Sequence, residues 1–310
     1  MTRAEEFEEL RPLLFSIAYR LLGSVSEAED AVQETWLRYQ TSATRPESAK
    51  VFLSTVVTRI SIDVLRSARV RREEYAGPWL PEPLLTDPYQ DPARSAELAD
   101  SLSMAALLLL ERLTPLERAV FVLREVFAFR FPEIASVVGR SEAACHQLAV
   151  RARRHMAAGR ARFAADREER ERLADRFFDA FREGNVEGLA ELLAADVTMV
   201  GDSGGRAPRF APVIQGAGNV ARVLAAFVPL VVRGAGVVEA RQVNGQPGAI
   251  LRDRRGQVLS TWVLDVLDGR VQTIRAVNNP DKLGHVGPVA DAWAALAEAR
   301  RAPRGHRPAD

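Results

Sequence analysis

Hydrophobic residues in this chain recur at three- and four-residue spacing as far as Leu193, and after Asp196 they fall into short β-type runs. Helical spacing marks one buried stripe per helix, whereas strands bury alternate residues. A chain whose period changes once, and late, is expected to fold as helical blocks followed by an α+β block. The first helical block covers about residues 7–74. Phe7, Leu10, Leu14, Ile17, Ala18 and Leu21 form the stripe of one helix, which Gly23 ends. Ser26, with Glu29 three residues on, predicts the capping box of a second helix that buries Ala28, Val32, Trp36 and Tyr39. A third helix, about 49–72, is expected to be lined by Phe52, Val56, Ile60, Val64 and Leu65.

Between residues 76 and 94 the period fails at Pro78, Pro81, Pro83, Pro88 and Pro92. Proline removes a backbone donor and restricts the residue before it, so this stretch reads as a linker. Its Trp79, Leu80, Leu84, Leu85 and Tyr89 predict that it packs against a domain. The second helical block, about 96–162, has Thr114 as a helix cap followed by Pro115. Phe131-Pro132-Glu133 then opens a helix-turn-helix. Ile134 and Ala135 lie in its first helix, Gly139 at the turn, Ser141 at the cap of the second, and Cys145 and Leu148 on the inward face. The third block, about 169–286, opens with a helix bearing Leu173, Phe177, Phe178 and Phe181, which Gly184 ends. A short helix through Leu189, Leu192 and Leu193 follows. Strands are expected at 197–200, 237–240, 248–251, 258–266 and 271–277. The polar tail after about residue 300 is expected to be disordered.

Composition excludes several classes. With 310 residues, 47% hydrophobic and 27% charged, the chain has the make-up of a soluble globular protein. At roughly 150 residues per domain it holds about two domains. The longest apolar run, 224–232, is broken by Pro229 and falls short of the roughly 18–20 residues of a membrane span. The N-terminus is acidic, unlike a signal peptide. A single cysteine permits neither an internal disulfide nor a cysteine zinc site. His146, His155, His285 and His306 are dispersed, so no metal site is expected. The expected location is the cytoplasm.

A net charge of +1 says nothing about partners, but its distribution does. Arg66, Arg69, Arg71 and Arg72 form one cluster, and Arg140, Arg151, Arg153, Arg154, Arg160 and Arg162 another. Two basic patches suit a polyanion. Ser141, Glu142, His146 and Gln147 sit at the start of the second helix of the helix-turn-helix, where side chains reach base edges. Arg151, Arg153 and Arg154 follow where phosphate contacts are expected. On the second helix, Glu27, Asp30, Gln33, Glu34 and Leu37 face away from the buried stripe. That face suits a partner protein, and equally a solvated surface. In the third block Asp196, Asp202, Asp265 and Asp268 are candidate bases, but a working base needs burial or a positioned partner, and the sequence shows neither. Residues 201–206 read as a flexible loop. Cys145 reads as a small packed apolar group. No catalytic residue and no cofactor are expected.

The first two blocks resemble the extracytoplasmic-function (ECF) group of sigma-70-type RNA polymerase sigma factors. Ala28-Glu29-Asp30-Ala31-Val32-Gln33-Glu34-Thr35-Trp36-Leu37-Arg38 resembles the region 2 helix that grips polymerase, and Ile62-Asp63-Val64-Leu65-Arg66 the helix that reads the minus-ten element. Leu113-Thr114-Pro115-Leu116-Glu117-Arg118 and the helix-turn-helix resemble region 4, which reads the minus-thirty-five element. The third block resembles a SnoaL-like (ketosteroid-isomerase-like) cone. Trp79-Leu80-Pro81-Glu82-Pro83, the 202–206 loop and Asn279-Pro280-Asp281-Lys282-Leu283 make the combination similar to the SigJ-type subgroup, which carries a fused SnoaL-like domain.

The resemblance implies a multidomain protein: all-α region 2 at 1–75, a proline-rich linker at 76–95, all-α region 4 at 96–165, an α+β SnoaL-like cone at 168–288 and a tail at 289–310. It implies no enzymatic activity. It assigns core polymerase binding to Asp30, Gln33, Glu34 and Leu37. Promoter DNA, including the melted non-template strand, falls to Arg45, Lys50 and Asp63, with Arg59, Arg66 and Arg69 on phosphates and the helix-turn-helix residues above in the major groove. It implies control in cis, with Trp79 to Pro83, Asp202, Gly204, Gly205, Arg206 and Asn279 to Leu283 as a regulatory interface that docks on the first block. A small ligand for the cone, the promoter sequence and the oligomeric state stay open. The chain departs from the pattern at Arg59, where many relatives have asparagine, at His146 and Gln147, where many have lysine and serine, and at Arg206, where lysine is usual. Two other classes stay open: a one-component helix-turn-helix regulator with a ligand-sensing domain, and a SnoaL-like enzyme fused to a DNA-binding module.

Overall fold

The computed structural model describes residues 2–43, 45–73, 75–91, 93, 95–159, 167–208, 213–233 and 236–301. Arg160, Arg162, His306 and the polar tail from residue 302 lie outside the described residues, and at Arg69, Arg71 and Arg72 only the backbone is described. The chain divides into two units, 1–75 with 86–161 and 76–85 with 162–310.

In the first unit α1 (Arg3–Leu22) starts at a capping box made by Thr2 and Glu5, and ends at Gly23, whose φ of +66° is left-handed. The first residue back in extended backbone is Ser24, and its hydroxyl accepts from the Glu27 amide to cap α2 (Val25–Thr41). The cap is therefore Ser24 rather than Ser26, because the glycine turn fixes where the chain re-enters the helix. Helix α3 (Ala49–Glu73) also differs from expectation. Phe52, Val56, Ile60 and Val64 are half-buried, while Leu53, Val57, Leu65 and the hydroxyl residues Ser54, Thr58 and Ser61 are buried. The reason is that α3 is covered on two sides, by α1 and α2 and by the second half of the unit. That half comprises α4 (Ser95–Leu102), α5 (Met104–Leu110), α6 (Pro115–Phe121), a π-helical turn (Val122–Val126), α7 (Phe131–Val138) and α8 (Glu142–Gly159). Thr114 and Glu117 form the capping box of α6, Gly139 makes the left-handed turn after α7, and the Ser141 hydroxyl accepts from Ala144 to cap α8.

Buried arginines join the two halves. Arg20 of α1 donates to Asp87 at 2.9 Å, to Ser101 Oγ at 2.8 Å and to the Leu98 carbonyl at 2.8 Å. Arg118 of α6 donates to the Leu21 carbonyl at 2.6 Å and to Glu111 at 2.8 Å. A buried guanidinium is tolerated only when partnered in this way.

The second unit is an α+β cone: α9 (Arg167–Glu183), α10 (Val186–Leu192) and α11 (Ala217–Arg233) pack on a six-stranded sheet, with α12 (Ala292–Arg301) after it. The strands are β1 (Leu193–Asp202), β2 (Val213–Gln215), β3 (Val237–Val243), β4 (Gln246–Arg252), β5 (Val258–Leu267) and β6 (Arg270–Val277). Their order is β2-β1-β6-β5-β4-β3, antiparallel except for β1 beside β6. Trp262 of β5 centres the core, 4.9 Å from the Phe181 ring and 6.2 Å from Phe227. Helix α11, strand β2 and helix α12 were not legible in sequence. The apolar run within α11 has no polar period to mark it, and β2 is only three residues long. Strand β5 is buried on both faces: Trp262, Leu264 and Val266 meet the helices, while Thr261, Val263 and Asp265 are buried on the other side.

Cys145 packs inside the helix-turn-helix, and burial, with Glu142 nearby, pushes its thiol above the ordinary range. As the thiol rather than the reactive thiolate, it should resist a thiol reagent in the native protein and titrate as one equivalent in denaturant. Rapid native labelling would contradict this packing.

Candidate functional site

On α2, alternating exposure separates two faces. Ala28, Ala31, Val32, Thr35 and Tyr39 are buried, while Asp30 and Gln33 are exposed and Leu37 keeps 48% of its surface. Glu34 is half-buried and pairs with Arg38 at 2.7 Å one turn on. The result is an acidic and amide face around one exposed leucine.

The basic candidates sit on the α2–α3 loop, α3 and α8, and several are tied to partners inside the first unit. Arg45 bonds Glu6 at 2.6 Å, and the Tyr39 hydroxyl donates to the same carboxylate. The Tyr39 and Arg45 hydrogen bonds hold the Glu6 carboxyl below its ordinary range. The Lys50 ammonium lies 5.8 Å from the Phe129 ring centre. Arg59 reaches from α3 to the C-terminal end of α7, donating to the Val137 carbonyl at 2.8 Å and the Ser136 carbonyl at 2.7 Å. A helix C-terminus leaves such carbonyls unpaired and carries partial negative charge, so a guanidinium suits it. Asp63 and Arg66 pair with each other on the exposed side of α3.

Along α8, Ser141, Glu142, His146, Gln147, Arg151, Arg153 and Arg154 are all exposed, and Cys145, Leu148, Ala149 and Ala152 are buried. Arg151 pairs with Glu117 and Arg153 with Glu125, each at 3.0 Å. Burial works against charge on Glu117, but the Thr114 hydrogen bonds and Arg151 outweigh it and lower its pKa. The His146 ring stacks on Phe131 with centres 3.6 Å apart. Sequence reasoning placed Phe131 only as a helix start and did not find this contact.

In the second unit the three singled-out stretches meet. Asp202, at the end of β1, is fully buried. One of its oxygens accepts from the Leu80 amide and from Lys282 Nζ, both at 2.8 Å, and the other from the Gly204 amide at 3.1 Å. Lys282 also donates to the Leu80 carbonyl at 2.6 Å and lies 4.4 Å from the Trp79 ring centre. The 201–206 segment is thus a fixed turn rather than a flexible loop, with Gly204 and Gly205 at positive φ and Arg206 paired to Asp281 at 3.1 Å. Asn279 caps the turn Pro280–Lys282 through the Asp281 amide, and Leu283 is buried. Four residues on from Leu80, Leu84 exchanges two hydrogen bonds with Asn244, in the β3–β4 turn. Pro81, Glu82 and Pro83 between them are buried, and His285 bonds the Pro83 carbonyl. The linker therefore runs from the end of β1 to the far turn of β4, and β6 and β5 lie between. Asn244 and His285 were missed, although Asn244-Gly245 is a recognisable hairpin turn.

The candidate bases do not form a reaction centre. Asp265 is committed to Arg275 and to Gln246, Asp202 to the linker, Asp196 is exposed, and Asp268 sits in the β5–β6 turn at φ +51°. Among the described residues, no cluster of three or more His, Cys, Asp or Glu could hold a metal, and no helix is long and apolar enough to cross a membrane.

The three-helix region and the helix-turn-helix that follows it both match sigma-70 regions. The family models for Sigma-70 region 2 and Sigma-70 region 4 match residues 7–71 and 103–156. The chain belongs to the ECF RNA polymerase sigma factors. It is 40% identical over 288 residues to the ECF RNA polymerase sigma factor SigJ of Mycobacterium tuberculosis, covering 89% of this chain and 92% of that protein. It is 30% identical over 280 residues to the probable ECF RNA polymerase sigma factor SigI of the same species, covering 88% and 92%. The crystal structure of Mycobacterium tuberculosis SigJ matches at a TM-score of 0.71 and 35% identity, covering 93% of this chain and all of that one.

Replacing Lys282 with methionine would leave Asp202 buried without its counter-charge. Such a loss typically costs about 3–5 kcal/mol. Urea unfolding of the full chain should show the second unit weakened by that order, and an unchanged midpoint would contradict the pairing described.

Proposed function

We propose that this sigma factor binds core RNA polymerase through the α2 face, engages promoter DNA through the loop before α3, α3 and α8, and is controlled in cis by its second unit. The observation that carries the reading is the order of the two sigma regions on one helical unit, in a chain that resembles an ECF factor over most of its length. In this division residues 1–75 serve polymerase and the minus-ten element, 96–165 the minus-thirty-five element, and 168–288 regulation. Asp30, Gln33, Glu34 and Leu37 meet polymerase. Arg45, Lys50 and Asp63 meet the melted non-template strand, and Arg59, Arg66 and Arg69 its phosphates. Extruding a base costs a few kcal/mol, which polymerase and phosphate contacts must offset. Sigma factors are transcription initiation factors, so the work is recognition rather than catalysis, at the nucleoid.

Two features support control in cis. The linker that joins the two sigma regions gives residues 76–85 to the second unit, so the grip on Asp202 governs how much linker is free. The joint between α3 and the second half of the first unit is polar. Arg59 and Lys50 use it for partners other than DNA, the carbonyls at the end of α7 and the Phe129 ring, so opening the joint would release both. A small molecule taken up by the cone would reach the linker through β1, whose Met199 belongs to the core and whose last residue is Asp202.

The test is run-off transcription by core polymerase with the full chain on its own upstream DNA. Promoter-specific transcript is expected, and Asp30→Lys with Leu37→Glu should reduce co-elution with core at least tenfold. Asp202→Ala should change transcript yield if the second unit regulates. No transcript and no co-elution would favour a one-component regulator, and an Asp202→Ala yield equal to wild type would remove the control in cis.

A further inference from the structure

The start of α8 carries a feature that the sigma reading does not require. His146 is exposed, yet one face of its ring lies on Phe131, with centres 3.6 Å apart and planes 26° apart. Phe131 is the first residue of α7 and is half-buried. The Arg124 guanidinium carbon lies 5.0 Å from the Phe131 ring centre, and Arg124 Nη1 donates to the Phe129 carbonyl at 3.0 Å, so Arg124 is itself anchored. Arg124 belongs to the π-helical turn Val122–Val126, an irregularity that re-aims side chains and recurs at functional positions. The ladder Arg124–Phe131–His146 thus links three segments around the helix-turn-helix.

Packing alone does not account for the stack. Ile134, Val137, Cys145 and Leu148 already bury the α7–α8 contact. An exposed histidine side chain normally samples several rotamers and must be ordered when it binds. Here stacking orders the ring beforehand. It covers a ring face and leaves the nitrogens, at the ring edge, available. A neutral imidazole offers one donor and one acceptor, and a donor at the start of a recognition helix matches the N7 acceptor that purines present in the major groove.

We propose that His146 reads a single purine of the upstream promoter element through its N7, and that Phe131, backed by Arg124, is the positioning residue that fixes the imidazole for this contact. The inference rests on the sigma reading and adds to it a base contact that local geometry prepares.

The experiment uses holoenzyme assembled from the full chain and core polymerase, transcribing a promoter library randomised across the upstream element. Wild type should favour a purine at one position. His146→Ala should lower that preference about tenfold there and leave the other positions within about twofold. Phe131→Ala should lower the same preference three- to tenfold, and Phe131→Tyr, which keeps the stacking face, should restore it. Replacing the preferred purine by its 7-deaza analogue should reduce wild type to the level of His146→Ala. Co-elution with core and an unchanged melting curve confirm that each variant folds; His146 is exposed, so its variant answers the question even if Phe131→Ala unfolds. An even loss across the library, an intact preference in His146→Ala, or indifference to the 7-deaza base would each overturn the proposal. Wild-type holoenzyme without any promoter selectivity would instead bring down the sigma reading beneath it.

Discussion

A carboxylate with no solvent exposure organises the second unit. Asp202 is buried with Lys282 and the Leu80 and Gly204 amides bonded to its two oxygens. Removing a charge from water is costly, and the cost is met only when the geometry supplies a counter-charge and donors together. This constraint makes the linker part of the fold. Leu80 must come to Asp202 to donate, Lys282 must be held by the Asn279 turn to reach both, and Trp79 lies beside its ammonium. From that fixed point the chain continues to Asn244, where Leu84 exchanges two hydrogen bonds with the β3–β4 turn.

The first unit is held differently. Its two halves each have apolar cores, but the joint between them relies on guanidinium groups: Arg20 on Asp87 and Leu98, Arg118 on Leu21, Arg59 on the end of α7. Charged hydrogen bonds are directional, and a buried guanidinium that loses its partner is costly. A protein that must present two DNA-reading regions to one polymerase benefits from a joint of this kind. The same arginines that hold the halves together are of the residue type that phosphates compete for.

The two arrangements act on one segment. The linker leaves the first unit after α3, is gripped in the second, and returns before α4. In the proposed mechanism, whatever loosens the Asp202 grip lengthens the tether between the minus-ten and minus-thirty-five readers, and Arg59 and Lys50 can leave the joint for DNA.

Much of this was legible in the residues. Helical spacing, Gly23, Thr114-Pro115, Gly139 and Ser141 set the helices and the turn of the helix-turn-helix, because local backbone chemistry decides those points. The motif stretches around Trp79, Asp202 and Asn279 were identified, but not that they bind one another, since residues 80, 202 and 282 are joined only by long-range pairing. The buried hydroxyl face of α3 misled the periodicity, because a helix covered on two sides need not carry a single apolar stripe. Helix α11 was hidden by the apolar run and Pro229 in its second half, and the Phe131–His146 stack by the fact that spacing fixes where a helix starts but not what its first ring rests on. Local propensity and short-range pattern were enough to set the helices, the DNA-binding motif and the family resemblance. Tertiary structure alone decided which charges are buried, which arginines are engaged and where the linker belongs, because those depend on desolvation by residues distant in the chain.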